Sequence, residues 1–387
     1  EMQKSIPYLP QELWYRFPEH YAERLSPRVD AFASTALLVA MVAGEELRVR
    51  GKISPRLAYN LVEYRNIYHS WDSKLFQKVD ISYEHLEPPQ QPTGETGVAT
   101  AFSGGVDSFY TLWAHLPQNQ PIHAAQVTHG LFVHGLDLRL DDEVNYHTVA
   151  EHYSLLFEQS GLELLQAATN AYQFSEFRVS WPMFFGAPTI GAALLLAPWL
   201  QRFYVPSGMP SYRNLFPQGS SPLIDHLLST ENIEIVHHGA SVSRYDKTVT
   251  LTDWSATYHK LRVCSDKKHN QGWDNCCACH KCYRTMFVLE LLDATSNYNN
   301  FAKRIGPGSY LHWGLRTHLN IQLAAELRNK ALNTGSLAMA LWIQVAIVLS
   351  VAKSMIVGLI KKLLPRTQLY KLKRVVYHPE SNQKGVE

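Results

Sequence analysis

The sequence predicts an α/β protein with a doubly wound parallel sheet, a small N-terminal α+β module before it and a helical C-terminal extension after it. Short apolar strand-like segments alternate with helix-like ones through the middle of the chain, which is typical of a parallel sheet with helices on both faces. A polar linker rich in Pro and Gly, residues 86–97, precedes that region. We therefore expect domains at residues 1–85, 98–295 and 296–387.

The N-terminal module is predicted from hydrophobic periodicity. Residues 30–42 form an apolar helix-like run, residues 46–53 alternate as a half-buried strand does, and residues 58–68 indicate a second helix. No residue pattern in this module is typical of catalysis, so we look for the chemistry in the region that follows it.

Five candidate strands follow the linker, at residues 98–103, 130–134, 162–168, 202–207 and 233–238. The segments at 141–160 and 188–200, and the stretch after 243, indicate helices. In sheets of this kind ligands bind at the carboxyl ends of the strands. Polar residues that directly follow these strands are therefore the candidate site residues.

The segment Ser103-Gly104-Gly105-Val106-Asp107-Ser108 lies between the first of these strands and a helix-like run. Its glycines allow a tight turn and a close approach to a ligand, while the helix start directs free N–H groups at an anion. The segment therefore predicts a phosphate-binding loop, to which Ser103 and Ser108 add hydroxyl donors. Asp107 would repel a phosphate unless a divalent cation lies between them, so it indicates Mg²⁺. An ordinary Gly-Gly turn is the alternative.

Four of the five cysteines follow a C-x11-C-x2-C-x2-C spacing: Cys264, Cys276, Cys279 and Cys282. Thiolates separated by two residues can converge on one tetrahedral ion, so the spacing predicts a zinc site. Cys277 is left over, and His280 is a second-ranked alternative ligand. A disulfide framework and an iron–sulfur cluster are the other interpretations.

The loop sequence resembles the S-G-G-x-D-S signature of the N-type ATP pyrophosphatases, the PP-loop family, which cleave ATP between the α and β phosphates. Together with the cysteine spacing, it is similar to the zinc-containing 7-cyano-7-deazaguanine synthases of that family. The resemblance covers roughly residues 97–295, and the chain extends well beyond it on both sides. It implies a fold of the adenine nucleotide alpha-hydrolase type, with ATP, Mg²⁺ and Zn²⁺ as cofactors.

The resemblance also implies roles for single residues near the nucleotide. Residues 103–108 would bind the phosphates of ATP, with Asp107 as a catalytic residue. The backbone near Val133, at the end of the second predicted strand, would contact the base. Asp137, in the turn that follows, would contact the ribose or the substrate, although an ordinary turn capped by Asp explains it equally well.

Two further polar clusters follow later strands. The segment Ser243-Arg244-Tyr245-Asp246-Lys247 resembles the serine-and-lysine segment of the family, so Lys247 and Arg244 would stabilise the charge of the departing pyrophosphate. Ser207 and Arg213 lie after a strand and in its following loop, where they can hold an anionic substrate group. A surface loop without a ligand is the alternative for these two residues.

These residues predict an ATP-dependent ligase that adenylylates a carboxylate, releases AMP and pyrophosphate, and passes the acyl group to a nitrogen nucleophile. By resemblance, the acid is a 7-carboxy-7-deazaguanine-like compound and the nucleophile is ammonia or a protein amine, as in enlarged relatives from antiviral gene clusters. The alternatives are a PP-loop sulfurtransferase that uses Cys277 and a nucleotide-binding regulatory protein.

Composition agrees with a cytoplasmic enzyme that acts on small molecules. The chain has 36 basic and 34 acidic residues, a formal net charge of +2, which gives no electrostatic basis for binding nucleic acid. We see no secretory leader, so we expect reduced thiols.

Residues 337–360 form the one ambiguous membrane signal. They are apolar apart from Gln344, Ser350, Lys353 and Ser354, and a basic run follows at 361–376. A lysine within a spanning segment is costly. We therefore favour a buried or interfacial helix and keep membrane attachment as the alternative.

Overall fold

The computed structural model describes residues 9–92, 94–175, 179–208, 211–264, 274–315 and 317–363. The chain divides into two compact units. The first contains Glu1–Cys277 and Val288–Ala302, and the second contains Ala278–Phe287 and Lys303–Glu387.

The first unit begins with five elements: β1 (Tyr15–Arg16), α1 (Asp30–Ala43), β2 (Leu47–Ile53), α2 (Pro55–Trp71) and β3 (Ile81–Leu86). β2 and β3 form a separate two-stranded parallel sheet. α2 begins where the Ser54 hydroxyl accepts a 3.0 Å hydrogen bond from the Leu57 N–H, with Pro55 in the first turn. The predicted helix, strand and helix are present, whereas β1 and β3 were not predicted.

A six-stranded sheet forms the centre of this unit, and its strands β4–β8 are Gly97–Ala101, His129–His134, Glu163–Thr169, Leu200–Pro206 and Glu234–His238. The strand order is β1-β6-β5-β4-β7-β8, with every pair parallel except β1 with β6. The chain runs from β4 towards β6 and then returns to the other side of β4, so the order reverses there. The α/β class and the five predicted strands are confirmed.

Helices flank this sheet: α3 (Val106–Ala114), α4 (Glu143–Gln159), the short α5 (Tyr172–Ser175) and α6 (Trp181–Phe184), α7 (Gly186–Leu194) and α8 (Arg244–Thr252). Successive strand residues face opposite sides, so Phe132 stacks on Tyr146 of α4 at 5.1 Å. Its neighbours Leu131 and Val133 belong instead to the core that contains α1 and α7.

The helix predicted at 188–200 is shorter than expected. α7 ends at Leu194, and β7 begins at Leu200. The apolar run is continuous through both elements, so hydrophobicity alone cannot place the boundary between a buried helix and a buried strand.

The second unit is helical. It contains the start of α9 (His280–Leu291), followed by α10 (Pro307–Leu311), α11 (His318–Asn333) and α12 (Leu337–Leu363). Phe287 stacks on Tyr310 with the ring centroids 4.3 Å apart. α12 packs against α10 and α11, and Ala340, Ile343 and Ala346 are buried. The predicted helical character of the C-terminal part is confirmed.

Within the described ranges, one helix is long and apolar enough to cross a membrane, judged by length and composition alone. It is the segment Leu337–Ile356 of α12, with a mean hydropathy of 1.8 and only 22% of its most apolar stretch buried. Most of this segment is therefore exposed.

Candidate functional site

The predicted phosphate loop lies at the carboxyl edge of the sheet. It connects β4, which ends at Ala101, to α3, which begins at Val106, at the position where the strand order reverses. In open parallel sheets this position is where ligands bind. Gly104 has a φ of +75°, and a Cβ at this residue would overlap the Tyr153 hydroxyl. Glycine is therefore required at this position both by the backbone and by its neighbour.

Hydrogen bonds hold the loop in place. The Gly104 carbonyl accepts a 2.8 Å bond from the backbone N–H of Arg262. The Tyr153 hydroxyl that packs over Gly104 donates to the Lys260 carbonyl at 3.2 Å. The Ser108 hydroxyl donates to the Gly105 carbonyl at 3.0 Å, inside the first turn of α3. The shape of the loop thus depends on the segment that leads to Cys264 as well as on its own glycines.

Asp107 lies between two cationic side chains. Its Oδ2 accepts from Arg244 Nη1, and its Oδ1 is 3.2 Å from Lys247 Nζ. Lys247 Nζ also donates to the Ser207 carbonyl at 2.7 Å. The Lys247 side chain is 1% exposed, against 20% for Asp107 and 16% for Arg244. The fold therefore brings together all three predicted catalytic residues and the backbone of Ser207.

Burial lowers the pKa of Lys247, and the nearby Arg244 lowers it further. The Asp107 carboxylate opposes both effects through its charge and its hydrogen bond. The same arrangement weakens the inference from Asp107 to a metal ion, because two cationic side chains of the protein already neutralise its charge. A carboxylate in this position therefore does not by itself require a metal ion, and Mg²⁺ stays a prediction.

A buried imidazole lies beside Lys247. Burial, assisted by the neighbouring His115 and Lys247, lowers the pKa of His238 to about 3. Its Nδ1 is 3.0 Å from the Thr111 hydroxyl. His238 is therefore neutral at physiological pH and adds no positive charge next to the lysine.

The structure places the remaining predicted residues in different surroundings. Val133 is buried in the core with α1 and α7. Asp137 is half-exposed, with its carboxylate 3.5 Å from Arg262 Nη1. Arg213 is exposed in a short turn, and no contact described for it joins it to the Asp107 group. The backbone carbonyl of Ser207, rather than its hydroxyl, accepts the hydrogen bond from Lys247 Nζ.

Sequence reasoning missed a polar cluster at the same edge of the sheet. Asp225 Oδ2 accepts from the Ser220 hydroxyl at 2.7 Å and is 2.7 Å from His237 Nδ1. The Asp225 and His237 side chains are 1% and 4% exposed. His237 pairs in register with Val205 of β7, near the ends of both strands. The irregular spacing of the three residues forms no motif that sequence reasoning could recognise.

The four predicted metal ligands are brought together. The Sγ atoms of Cys264, Cys276, Cys279 and Cys282 all lie within 4.8 Å of one another, and those of Cys279 and Cys282 are 3.4 Å apart. Tetrahedral zinc–thiolate bonds of about 2.3 Å place sulfur atoms about 3.8 Å apart. The cluster therefore fits an ion of this kind. His280 is outside this group, and all five cysteines are free, which argues against a disulfide framework.

Asn275 organises the backbone around two of these cysteines. Its Oδ1 accepts from the N–H groups of Val263 and Cys264 at 2.9 and 3.1 Å, and its Nδ2 donates to the Leu261 carbonyl at 2.9 Å. Its own N–H donates to the Asn300 carbonyl at 2.9 Å. The buried amide thus fixes the segment that carries Cys264 beside the one that carries the next ligand.

Cys277, the leftover cysteine, is buried. Cys277 is 3% exposed, and its Sγ donates a hydrogen bond to the Asn275 carbonyl at 3.2 Å. Its φ of +54° is unusual for a residue other than glycine. Its Sγ is not one of the four sulfur atoms that lie close together.

Comparison with known proteins gives no match to this chain among protein families, curated proteins or solved structures. The PP-loop resemblance therefore depends on the residues of the two motifs.

Proposed function

We propose that this protein is an ATP-dependent ligase that forms AMP and pyrophosphate while it activates a carboxylate as an acyl-adenylate. The observation that carries the proposal is the group formed by Asp107, Lys247 and Arg244 beside a Gly-Gly loop. The group lies where a strand meets a helix start, at the edge of the sheet where the strand order reverses. A site that receives phosphates needs a helix start and fixed cations together; here α3 begins at Val106, beside Lys247 and Arg244.

In the proposed reaction, the substrate carboxylate oxygen attacks the α-phosphorus of ATP, and the bond to the bridging oxygen of pyrophosphate breaks. An amine then attacks the acyl carbon, AMP leaves, and the amine loses its proton as the amide forms. The Gly104–Gly105 backbone and the start of α3 would bind the phosphates. Bound Mg²⁺ would supply charge neutralisation between Asp107 and the phosphates.

Lys247 is suited to stabilise the departing pyrophosphate because it is held before any ligand arrives. The Ser207 carbonyl and Asp107 fix its Nζ, and burial reduces the screening of its charge by water. Arg244, on the other side of Asp107, is the second cation that phosphate oxygens can contact.

The finer assignments are extensions of the family resemblance. We propose a 7-carboxy-7-deazaguanine-like acid as the substrate and ammonia or a protein amine as the nucleophile. Val133 would border the base, and Asp137, Ser207 and Arg213 would contribute to substrate binding. A small molecule, rather than nucleic acid, is the proposed partner.

We further propose that the cysteine cluster holds structural zinc, with Cys264, Cys276, Cys279 and Cys282 as ligands. Four thiolates and no water position are typical of a structural rather than a catalytic site. Zinc thiolates need reduced cysteines, which favours a cytoplasmic location. Elemental analysis distinguishes zinc from the iron of a cluster.

The burial of Cys277 favours nitrogen transfer over sulfur transfer. A sulfurtransferase needs an accessible thiol, whereas this one is buried and hydrogen-bonded. Measuring ATP cleavage distinguishes the ligase from the regulatory-protein alternative, because a nucleotide sensor binds ATP and leaves it intact.

The deciding experiment uses ATP labelled at the α-phosphate with a panel of carboxylic acids that includes 7-carboxy-7-deazaguanine. We expect acid-dependent AMP, and we expect Asp107→Asn and Lys247→Met to slow its release by about 10²–10³-fold. The exposed residues Asp141 and Lys74 provide the matched controls Asp141→Asn and Lys74→Met. Release of ADP, or wild-type AMP release by Asp107→Asn, would refute the assignment.

A further inference from the structure

The outward face of α12 carries an apolar stripe, interrupted by Gln344 and formed by Leu337, Leu341, Val348, Val351 and Met355. These side chains are 67%, 64%, 54%, 39% and 70% exposed. At about 100° per residue they lie within roughly 80° of arc around the helix axis. Gln344 lies on the same stripe, and its Oε1 accepts from Arg328 Nη1. Exposed apolar area of this extent is typical of an interaction surface.

The opposite face of α12 is already covered within the second unit. Ala340, Ile343 and Ala346 are buried where α12 packs against α10 and α11. A helix that spans a bilayer would expose its circumference to lipid or to other spanning segments. The covered face extends as far as Ala346, whereas residues 351–356 are exposed on every side. Because protein covers one side of its first half, α12 can lie along a membrane surface but cannot cross a bilayer alone.

The sequence around the stripe carries charge of one sign. No acidic residue occurs from 337 to 379, while the interval 353–374 contains seven basic ones: Lys353, Lys361, Lys362, Arg366, Lys371, Lys373 and Arg374. The whole chain has a formal charge of only +2, so the remainder carries a net negative charge. The positive charge that follows the apolar stripe in the sequence is therefore a local property.

We propose that α12 and the basic residues that follow its stripe bind the surface of an anionic bilayer. The stripe would enter the boundary between headgroups and acyl chains, and the basic residues would contact acidic headgroups. A second copy of this segment is a poorer occupant, because it has no acidic residue from 337 to 379 and so offers the basic residues no partner of opposite charge. The proposal is independent of the proposed ligase activity.

The test is co-sedimentation of the full chain with vesicles of phosphatidylcholine alone or mixed with phosphatidylserine. We expect binding to the mixed vesicles only, weakened by high salt. Lys361→Gln/Lys362→Gln should weaken binding about 25-fold, from about fivefold per basic residue. Leu341→Ser/Met355→Ser should also weaken it, by removing buried apolar area.

Matched controls are Lys74→Gln/Lys78→Gln for charge and Ile122→Ser/Val144→Ser for exposed apolar side chains, all outside α12. Absence of binding to the mixed vesicles, or equal losses in the controls, would overturn the proposal. Resistance to both high salt and alkaline extraction would indicate a spanning helix instead. A dimer by light scattering that Leu341→Ser/Met355→Ser converts to a monomer would assign the stripe to self-association.

Discussion

We expect the double variant Asp107→Asn/Lys247→Met to be more stable than the single variant Asp107→Asn, because Asp107 and Lys247 form a partly buried ion pair. The two groups are 3.2 Å apart, and Lys247 is 1% exposed. Coulomb's law with an effective dielectric constant of about 20 gives an attraction of about 5 kcal/mol at that distance. Asp107 is 20% exposed, and an asparagine would still accept a hydrogen bond, so we expect Asp107→Asn to lower the free energy of unfolding by about 2 kcal/mol.

Lys247→Met should restore part of that loss in the Asp107→Asn background. Without the carboxylate, the buried ammonium and the nearby Arg244 repel each other, and methionine removes that repulsion together with the burial of a charge. The double variant should therefore unfold at higher urea than Asp107→Asn alone. Exposed Asp141→Asn is the matched control and should change the midpoint little.

The pH dependence of the deficit has a definite sign. The pKa of Lys247 already lies below its usual value, and loss of Asp107 lowers it further. Between those two pKa values, both below about 10.4, the folded wild type binds more protons than the folded variant. The stability difference is therefore largest below this window and shrinks as pH rises through it. Urea unfolding from neutral to mildly alkaline pH measures it, and a deficit that grew with pH would refute the reasoning.

Three other variants test the loop, the cysteine cluster and the buried carboxylate. Gly104→Ala should prevent ATP binding and lower the melting temperature, since a Cβ there meets the Tyr153 hydroxyl and φ is positive. Cys279→Ser should yield metal-free or insoluble protein by elemental analysis, whereas Cys277→Ser should retain about one zinc per chain. Asp225→Asn should lower the free energy of unfolding by about 1–3 kcal/mol, because it disturbs two buried hydrogen-bonded partners.

For each of these three predictions, one result would contradict the reasoning. Wild-type ATP affinity in Gly104→Ala would show that the loop is not shaped as described. Full metal content in soluble Cys279→Ser, or iron in the wild type, would remove the zinc assignment. An unchanged urea midpoint in Asp225→Asn would mean that Ser220 and His237 find other partners at little cost.

Much of the sheet could be predicted from the sequence because local patterns specify it. Apolar runs mark β4 to β8, and the glycines of the loop mark the turn after β4. The two residues of β1 could not be found in this way, since so short a strand has no period and its pairing with Thr169 and Ala168 is a long-range contact. The end of α7 was misplaced because its apolar run continues into β7.

In the candidate site, too, the residues that belong to local motifs could be predicted, whereas contacts between distant parts of the chain could not. The cysteine spacing and the loop motif are local patterns, so the sequence predicted both groups of residues. The surroundings of Asp107 depend on residues far away in the chain, and the two cations beside it change the metal argument that the sequence alone supports. The Asp225–His237 contact and the packing of Tyr153 over Gly104 depend on tertiary structure and leave no pattern in the sequence.

The short segment from Leu261 to Cys264 takes part in two sites at once. The Arg262 N–H donates to the loop carbonyl at Gly104, while the Val263 and Cys264 N–H groups donate to Asn275 beside the cysteine cluster. On the proposed assignments, an ion that favours this segment's position also favours the loop shape that receives phosphate. The cysteine cluster and the phosphate loop thus share one backbone segment as a support.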